Sequence, residues 1–591
     1  MAFLRTVTAS GGKGTTHQYL RLVEAYRAGG KNKQRVICHL GRKDLLAPHL
    51  DSLIRILGGE PSTPARSPQP EAVQAWDWGP ILVAQQLWRE LGLETILDRV
   101  STDRRLSGTA LADRALVLVA NRLCAPASEH GLARWLDNDF ACDRHGRRWR
   151  VKWRDEQERQ CSRNPRVRVE FAQLQQWYRT LDQLYAGKAE IERELFLRLR
   201  DLFSLKADLV FYDVTSTYFE GHGPPRLGRH GYSRDGKPRA RQVLVGQLMV
   251  DGWPIAHHVF AGNWRDATTV PVVLRDIEQR FGLRRVIFVG DRGMVTCANL
   301  ERLRAGAHGY IVGLNRRRRE DIQQYLARAT GRWLECPAAM TAREQTSVPK
   351  TEVQEVPSDE PGVRIFVVRS EERLEYERGQ RLRAMAEVRQ DLEALAARIK
   401  QGKLKAPAKI GAAAERILGR HHGSRYYAWQ YDHDGFRFFE HPLNLKREQA
   451  LEGTYLIRTE EPQLSPVQAV SIYKELSEVE RAFANLKDII ELRPIYHRSD
   501  ERVQAHIFVA ALAFLLHRAL EKKLKAAGVD LSATAALQAL RSVKVVDFML
   551  ADGQSKRCVT RGSERATRIL RALGITELGP PTPPNGETTV M

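Results

Sequence analysis

Apolar residues recur at helical spacing from residue 80 to residue 140, through ILVAQQLWRELGLETILDRV, LADRALVLVANRLC and EHGLARWLDNDF, which predicts an all-helical segment. Past residue 206 the period shortens to that of strands. DLVFYDVTSTYF, RQVLVGQLMVDGWPIAHHVF and RRVIFVGDRG are apolar or alternating runs, and the DGWP turn folds the middle one into a hairpin. Between that hairpin and the third run, DATTVPVVLRDIEQRFG puts Val270, Val273, Leu274 and Ile277 on one side of a helix, with Asp266 as its candidate cap. After GYIVGLNR and the four arginines 316–319 the pattern is lost for more than a hundred residues. Within that gap Met385, Val388, Leu392, Leu395 and Ile399 alternate three and four apart, the spacing of a coiled arm or of a core-facing helix. RYYAWQYDHDGFRFFEH and GTYLIRTEE return to strands, and SPVQAVSIYKELSEVERAFANLKDII is a long helix opened by Ser465 and Pro466. At the other end QYLRLVEAYRAGGKNKQRVICHLG reads as two strands around AGGKN, PSTPARSPQP as a linker, and the C-terminal LGPPTPPNGETTVM as a disordered tail. Strand, hairpin, helix, strand is an α/β order.

Composition turns this outline toward a polyanionic partner. Lys and Arg outnumber Asp and Glu by 93 to 71 in 591 residues, a formal net charge of +22, and a field of that sign suits nucleic acid. The excess is concentrated. Residues 1 to 50 carry nine Lys or Arg against two acids, and residues 144 to 154, RHGRRWRVKWR, carry six and none. There Arg147, Arg148, Arg150 and Lys152 flank Trp149 and Trp153, a pattern for phosphate contact with stacking, or for a solvated basic loop. The longest apolar run, IFVAALAFLL, has ten residues against the ~20 of a membrane span, so no membrane partner is expected. MAFLRTVTASGGKG lacks the apolar core and cleavage site of a signal peptide. Seven scattered cysteines without a CxxC pair argue against a disulfide framework and a structural zinc, and a cytoplasmic location is expected.

Two acids interrupt the apolar strands in matched settings. Asp213 follows ADLVFY and Asp291 follows VIFVG, each read as lying at the carboxyl end of a strand, where sites form in α/β sheets. Facing carboxylates repel unless a cation holds them. Mg2+ takes oxygen ligands and keeps several waters, so two or three carboxylates and phosphate oxygens complete a site, and two such ions serve phosphoryl transfer. A third acid is expected further along. His257 and His258 follow WPIA in a strand, so at least one points inward as satisfied core, and GNWRD (262 to 266) reads as a loop and helix cap with Asn263 as a DNA-contact candidate.

On these residues the chain resembles the DDE transposases of bacterial insertion sequences, in the branch with a large insertion before the glutamate. FYDVTSTYFEG is similar to the family's first aspartate segment and VGDRGM to its second, so Asp213 and Asp291 match. The family's helix signature YxxRxxxExxxxxxK falls on YKELSEVERAFANLK, with Tyr473, Glu480 and Lys487 at three of its positions and Leu476 where the arginine stands. The resemblance implies an RNase H-like mixed sheet with flanking helices, interrupted by an insertion. It implies catalytic, metal-holding Asp213, Asp291 and Glu480, with Mg2+ as cofactor and Mn2+ as a substitute. It also implies double-stranded DNA partners, the terminal inverted repeats and the target, with a homodimer pairing two ends. Lys487 would grip a phosphate and Tyr473 would position the DNA end. An RNase H-like nuclease that cuts without joining, or a DNA-binding relic, are the alternatives.

Helical geometry separates three neighbouring acids. At ~100° per residue Tyr473, Glu480 and Lys487 share one face, while Glu478 lies roughly 160° and Glu475 roughly 140° from Glu480. The expected organisation is a basic DNA-binding unit over 1–60, a linker over 61–75 and a helical DNA-binding domain over 76–205. Core segments follow over 206–325 and 465–525 around an insertion at 326–464, with a C-terminal helical region and tail over 526–591.

Overall fold

A computed structural model describes residues 2–10, 16–46, 49, 71–101, 110–151, 171–205, 208–314, 319–337, 349–550, 553–583 and 589–590. The chain divides into two compact units, Met1–Ala75 with Val546–Cys558, and Trp76–Val545 with Val559–Met591. In the first, β1 (Ala2–Ser10), β2 (Thr16–Ala28) and β3 (Lys31–Arg42) form an antiparallel sheet in that order. Gly29 and Gly30, at φ 63° and 77°, close the predicted turn, since a two-residue hairpin of the favoured twist needs positive φ at both positions. The first strand goes beyond the two expected and pairs with Thr16–Glu24 of β2. The predicted linker lies mostly outside the described residues.

The second unit opens with α1 (Gly79–Glu90), α2 (Leu93–Val100), α3 (Leu111–Cys124) and α4 (Leu132–Asn138), as the apolar spacing predicts, and continues with α5 (Phe171–Phe203). Then comes the central sheet. β4 (Leu209–Tyr218), β5 (Gln242–Val250) and β6 (Trp253–Ala261) run antiparallel, and Asp251 and Gly252, at φ 50° and 70°, make the predicted DGWP hairpin. Helix α6 (Asp266–Gln279) buries Val270, Val273, Leu274 and Ile277 as its spacing requires. Its cap is Arg265, not Asp266, whose carboxylate instead accepts from Arg234. β7 (Ile287–Gly290) lies parallel to β4, and after α7 (Cys297–Ala305) β8 (Gly309–Gly313) lies parallel to β7.

The long insertion is woven into this sheet. It contributes β9 (Leu334–Glu335), β10 (Thr351–Val356), β11 (Arg364–Ser370) and, after a helical excursion, β14 (Thr454–Thr459). β14 lies between β11 and β8, antiparallel to both, so nine strands run β9-β10-β11-β14-β8-β7-β4-β5-β6. The excursion comprises α8 (Glu371–Lys400), α9 (Pro407–Gly419) and the hairpin β12 (Tyr427–Asp432) and β13 (Gly435–Glu440). Met385, Val388 and Leu392 of the α8 seam close a small core with Leu418, Tyr426 and Tyr427, so the seam is core-facing.

Two long helices follow the insertion, ahead of two short ones, Ala533–Leu540 and Glu564–Ala572. α10 (Pro466–Ala484) starts at Ser465 with a capping box: the Ser465 hydroxyl accepts from the Gln468 amide, and the Gln468 side chain accepts from that of Ser465. It lies across β4, β7 and β8 and passes into one π-helical turn, Asn485–Ile489. α11 (Asp500–Ala526) packs on α3, α5 and β6. Among the described residues it alone has the length and hydropathy of a membrane span, and 83% of its apolar window is buried within the protein. The tail corrects the expectation of disorder where it is described. The Trp78 indole donates to the Leu578 carbonyl at 2.7 Å, and Thr589–Val590 pairs with Arg148–Trp149, because a buried indole N–H needs an acceptor.

Candidate active site

β4 and β7 pair in parallel with Tyr212 opposite Gly290, and the next step of that register sets Asp213 beside Asp291. Neighbouring strands run about 4.8 Å apart, and matched positions on them point to one face. β7 stops at Gly290, and Asp291 is extended (φ −75°, ψ 162°) ahead of a short 3-10 turn. Asp213 lies inside its strand, not at its end as the sequence suggests, because Thr215–Tyr218 go on pairing with Gln242–Val245. Tyr212 alternates to the other face, where its hydroxyl donates to Thr269 of α6 at 3.0 Å. α10 covers the sheet above the strands that carry the two aspartates.

Glu480 is the acid of α10 that joins them electrostatically. Burial pushes the Asp213 carboxyl up to about 7, and the charges of Asp291 and Glu480 add to the rise against the Val214 amide and Arg234. Glu480 is itself raised, by partial desolvation and then by Asp291. Glu478 points its charge elsewhere, pairing with Arg481 and, at 2.6 Å, with Arg518. Glu475 is raised by burial and by Asp251. Among the described residues no Lys or Arg forms an ion pair with Asp213, Asp291 or Glu480. Nor do the three form a tight cluster. Among the described residues, the sets of three or more candidate ligands within 4.8 Å are Glu129–His497–His506 and Asp432–His433–Asp434.

The other predicted contacts are more enclosed than the sequence implies. Tyr473 packs on Tyr455, ring centroids 5.9 Å apart, with its hydroxyl over Gly313, where a Cβ would stand 2.3 Å from that oxygen. Lys487 lies in the π turn, beyond the end of the α-helical period, and its ammonium donates to Asp235 at 2.9 Å. Arg493 shares the same carboxylate. Leu476, at the arginine position, is buried core. The cation acting on Glu480 and Tyr473 is Arg373 from α8, which lies over the Tyr455 ring at 5.0 Å and pairs with Glu377 at 2.8 Å. Sequence spacing gave no sign of Arg373. Asp235 left a faint one, as the lone acid in RHGYSRDGKPRAR.

Two of the basic candidates are structural. Arg148 is buried, stacked 4.1 Å over Trp76 and donating to the Leu136 carbonyl at 2.7 Å, while Trp149 packs beside Trp177. Its guanidinium fills the helical core, so phosphate contact by Arg148 is corrected. Arg147 donates to buried Asp143 at 2.7 Å, Arg150 is exposed, and Lys152 lies outside the described residues. His257 and His258 pack inward, each held through one ring nitrogen, by Glu192 at 3.0 Å and Asp276 at 2.9 Å.

Residues 204–516, more than half of the chain and including all three acids, match the transposase DDE domain. The chain belongs to the DDE transposases of insertion sequences, DNA-transposing enzymes, as its motifs imply. Within that class, residues 4–64 match the IS1634 family transposase N-terminal domain. No curated protein matches the sequence.

Proposed function

We propose that this transposase binds the terminal inverted repeats of its element as double-stranded DNA, nicks their ends with water and joins the freed 3′ hydroxyl to target DNA at a site built from Asp213, Asp291 and Glu480. The observation that carries this reading is three mutually repelling carboxylates with no Lys or Arg ion-paired to them, among the described residues, and with Asp213 raised to about 7. An all-carboxylate donor set fits a hard divalent cation, so these residues would hold Mg2+, with Mn2+ as a substitute. Bound there, such ions activate an attacking oxygen and offset charge on a leaving one.

The chain's own residues do the rest. Asp213 loses a proton to become a ligand, a step that Arg234 favours. Lys487 and Arg493, held by Asp235, offer positive charge to a phosphate near the cut. The strand order β6-β5-β4-β7-β8, with three antiparallel strands followed by two parallel ones, supports an RNase H-like core assembled from 206–325 and 465–525. The basic unit 1–60 and the helical domain 76–205 serve as DNA-binding parts, and a homodimer on the nucleoid pairs two ends.

The test is Mg2+-dependent nicking and strand transfer on terminal-repeat DNA, with gel shift as the control for binding. Asp213→Ala, Asp291→Ala and Glu480→Gln should each abolish both reactions and keep end binding, while Glu478→Gln and Glu475→Gln stay near wild type. Undiminished cutting by any of the first three overturns the site.

A further inference from the structure

The loop between β4 and β5 is long, basic and tied down at its base. Over 229–241, RHGYSRDGKPRAR, it carries five Lys or Arg and one acid. That acid is buried: the Asp235 side chain is 3% exposed, with Lys487 and Arg493 on its carboxylate. The Arg234 amide donates to Ser216, three residues past Asp213 on β4, at 2.9 Å, and its guanidinium donates to Asp266. Gly231 lies against the next loop so closely that a Cβ there would stand 1.8 Å from the Gly262 carbonyl. The Gln242 side chain donates to the Lys237 and Ala240 carbonyls, at 3.0 and 2.9 Å.

With its one acid side chain inside, the loop shows no negative charge to solvent, and cations and an aromatic ring are prominent among its exposed residues. Tyr232 is 79% exposed, far more than packing requires, and Arg234, Lys237 and Arg239 are exposed around it. The abutting loop adds exposed Asn263, Trp264 and Arg265, with Trp264 stacked on Phe260 at 5.1 Å so that its ring is held in place. Single exposed aromatics are ordinary. Two on adjoining loops, interleaved with cations, one of which, Arg234, lies near enough to Asp213 to act on its carboxyl, make a combination suited to nucleic acid: cations for the backbone and rings for unstacked bases.

Resting on the transposase reading above, we propose that the 229–241 and 262–265 loops form a strand-guiding surface for unpaired DNA at the cleavage site, with Tyr232 and Trp264 as stacking platforms. Inside a duplex the base faces are stacked on one another, and apart from the outer face of the terminal pair none is open to these rings. The surface therefore distinguishes a frayed or single-stranded end from a blunt one.

The probe is a duplex of arbitrary sequence with a short oligo-dT overhang, compared with the same duplex blunt-ended, using the full chain. Tyr232→Ala should weaken overhang binding about 10-fold, the loss of one stacked base, and leave blunt binding unchanged. Tyr232→Phe, which keeps the ring, should bind as wild type. Tyr232 touches no core, so the variant folds; Trp264→Ala should add a further loss. Equal losses on both probes, or none on either, would overturn the surface while leaving the acid-site variants above to judge the transposase reading separately.

Discussion

At the residue scale Asp213 is held against its own charge, chiefly by burial. Its carboxyl is raised from 3.8 to about 7, so between those pH values the folded chain holds a proton that the unfolded chain releases. Stability attributable to this group therefore falls as pH rises from about 4 to about 7. Asp213→Asn removes that burden. In EDTA at pH 8 the variant should be more stable than wild type, by on the order of 4 kcal/mol, and Mg2+ should stabilise wild type but not the variant. A wild type that melts higher in EDTA would show that Asp213 is not under repulsion. Metal uptake should also release protons near pH 7 and strengthen as pH rises, because a ligand must be deprotonated to bind.

At the element scale, the hairpin β5–β6 and helix α5 are joined by one buried carboxylate. Glu192 of α5, 2% exposed, accepts from Lys188 at 2.8 Å and faces His257 of β6 and Arg280 at the end of α6. Glu192→Gln keeps the shape and leaves two buried cations short of a partner. It should cost about 3–5 kcal/mol, seen as a lower urea midpoint with unchanged slope. A loss below 1 kcal/mol would mean water already reaches the cluster.

Elements of this kind also show what the sequence made legible. The α10 start was readable because Ser465, Pro466 and Gln468 act within one turn, and the β5–β6 turn because Asp251 and Gly252 set their own backbone. Glu480 could be separated from Glu478 by helical angle alone. The same arithmetic does not extend to Lys487, which lies in a π turn and pairs with Asp235, 252 residues away. Arg148 deceived for a similar reason. Its neighbours in sequence are basic, but Trp76 and Leu136, which bury it, are remote. Asp213 within a strand and β14 between β8 and β11 depend on pairing that no local pattern encodes.

For the whole molecule, charge and fold divide the labour. β3 and the end of β2 place exposed Arg27, Lys31 and Lys33 around the Gly29–Gly30 turn. Replacing the three with Ala should weaken terminal-repeat binding and flatten its salt dependence by about 0.9 in log–log slope for each phosphate that is no longer neutralised. An unchanged slope would place the DNA-binding charge elsewhere in the chain.

The placement of β14 bears on how the chain comes into being. β8 is made early, but its partner on one side is 454–459, delivered after some hundred and forty further residues. Until then a growing polypeptide has its two aspartates in place, no glutamate, and an unpaired strand edge of the kind that recruits other chains. With the three-acid site proposed above, a reading frame cut short before residue 454 should therefore yield a sticky, inert fragment, not a feeble enzyme.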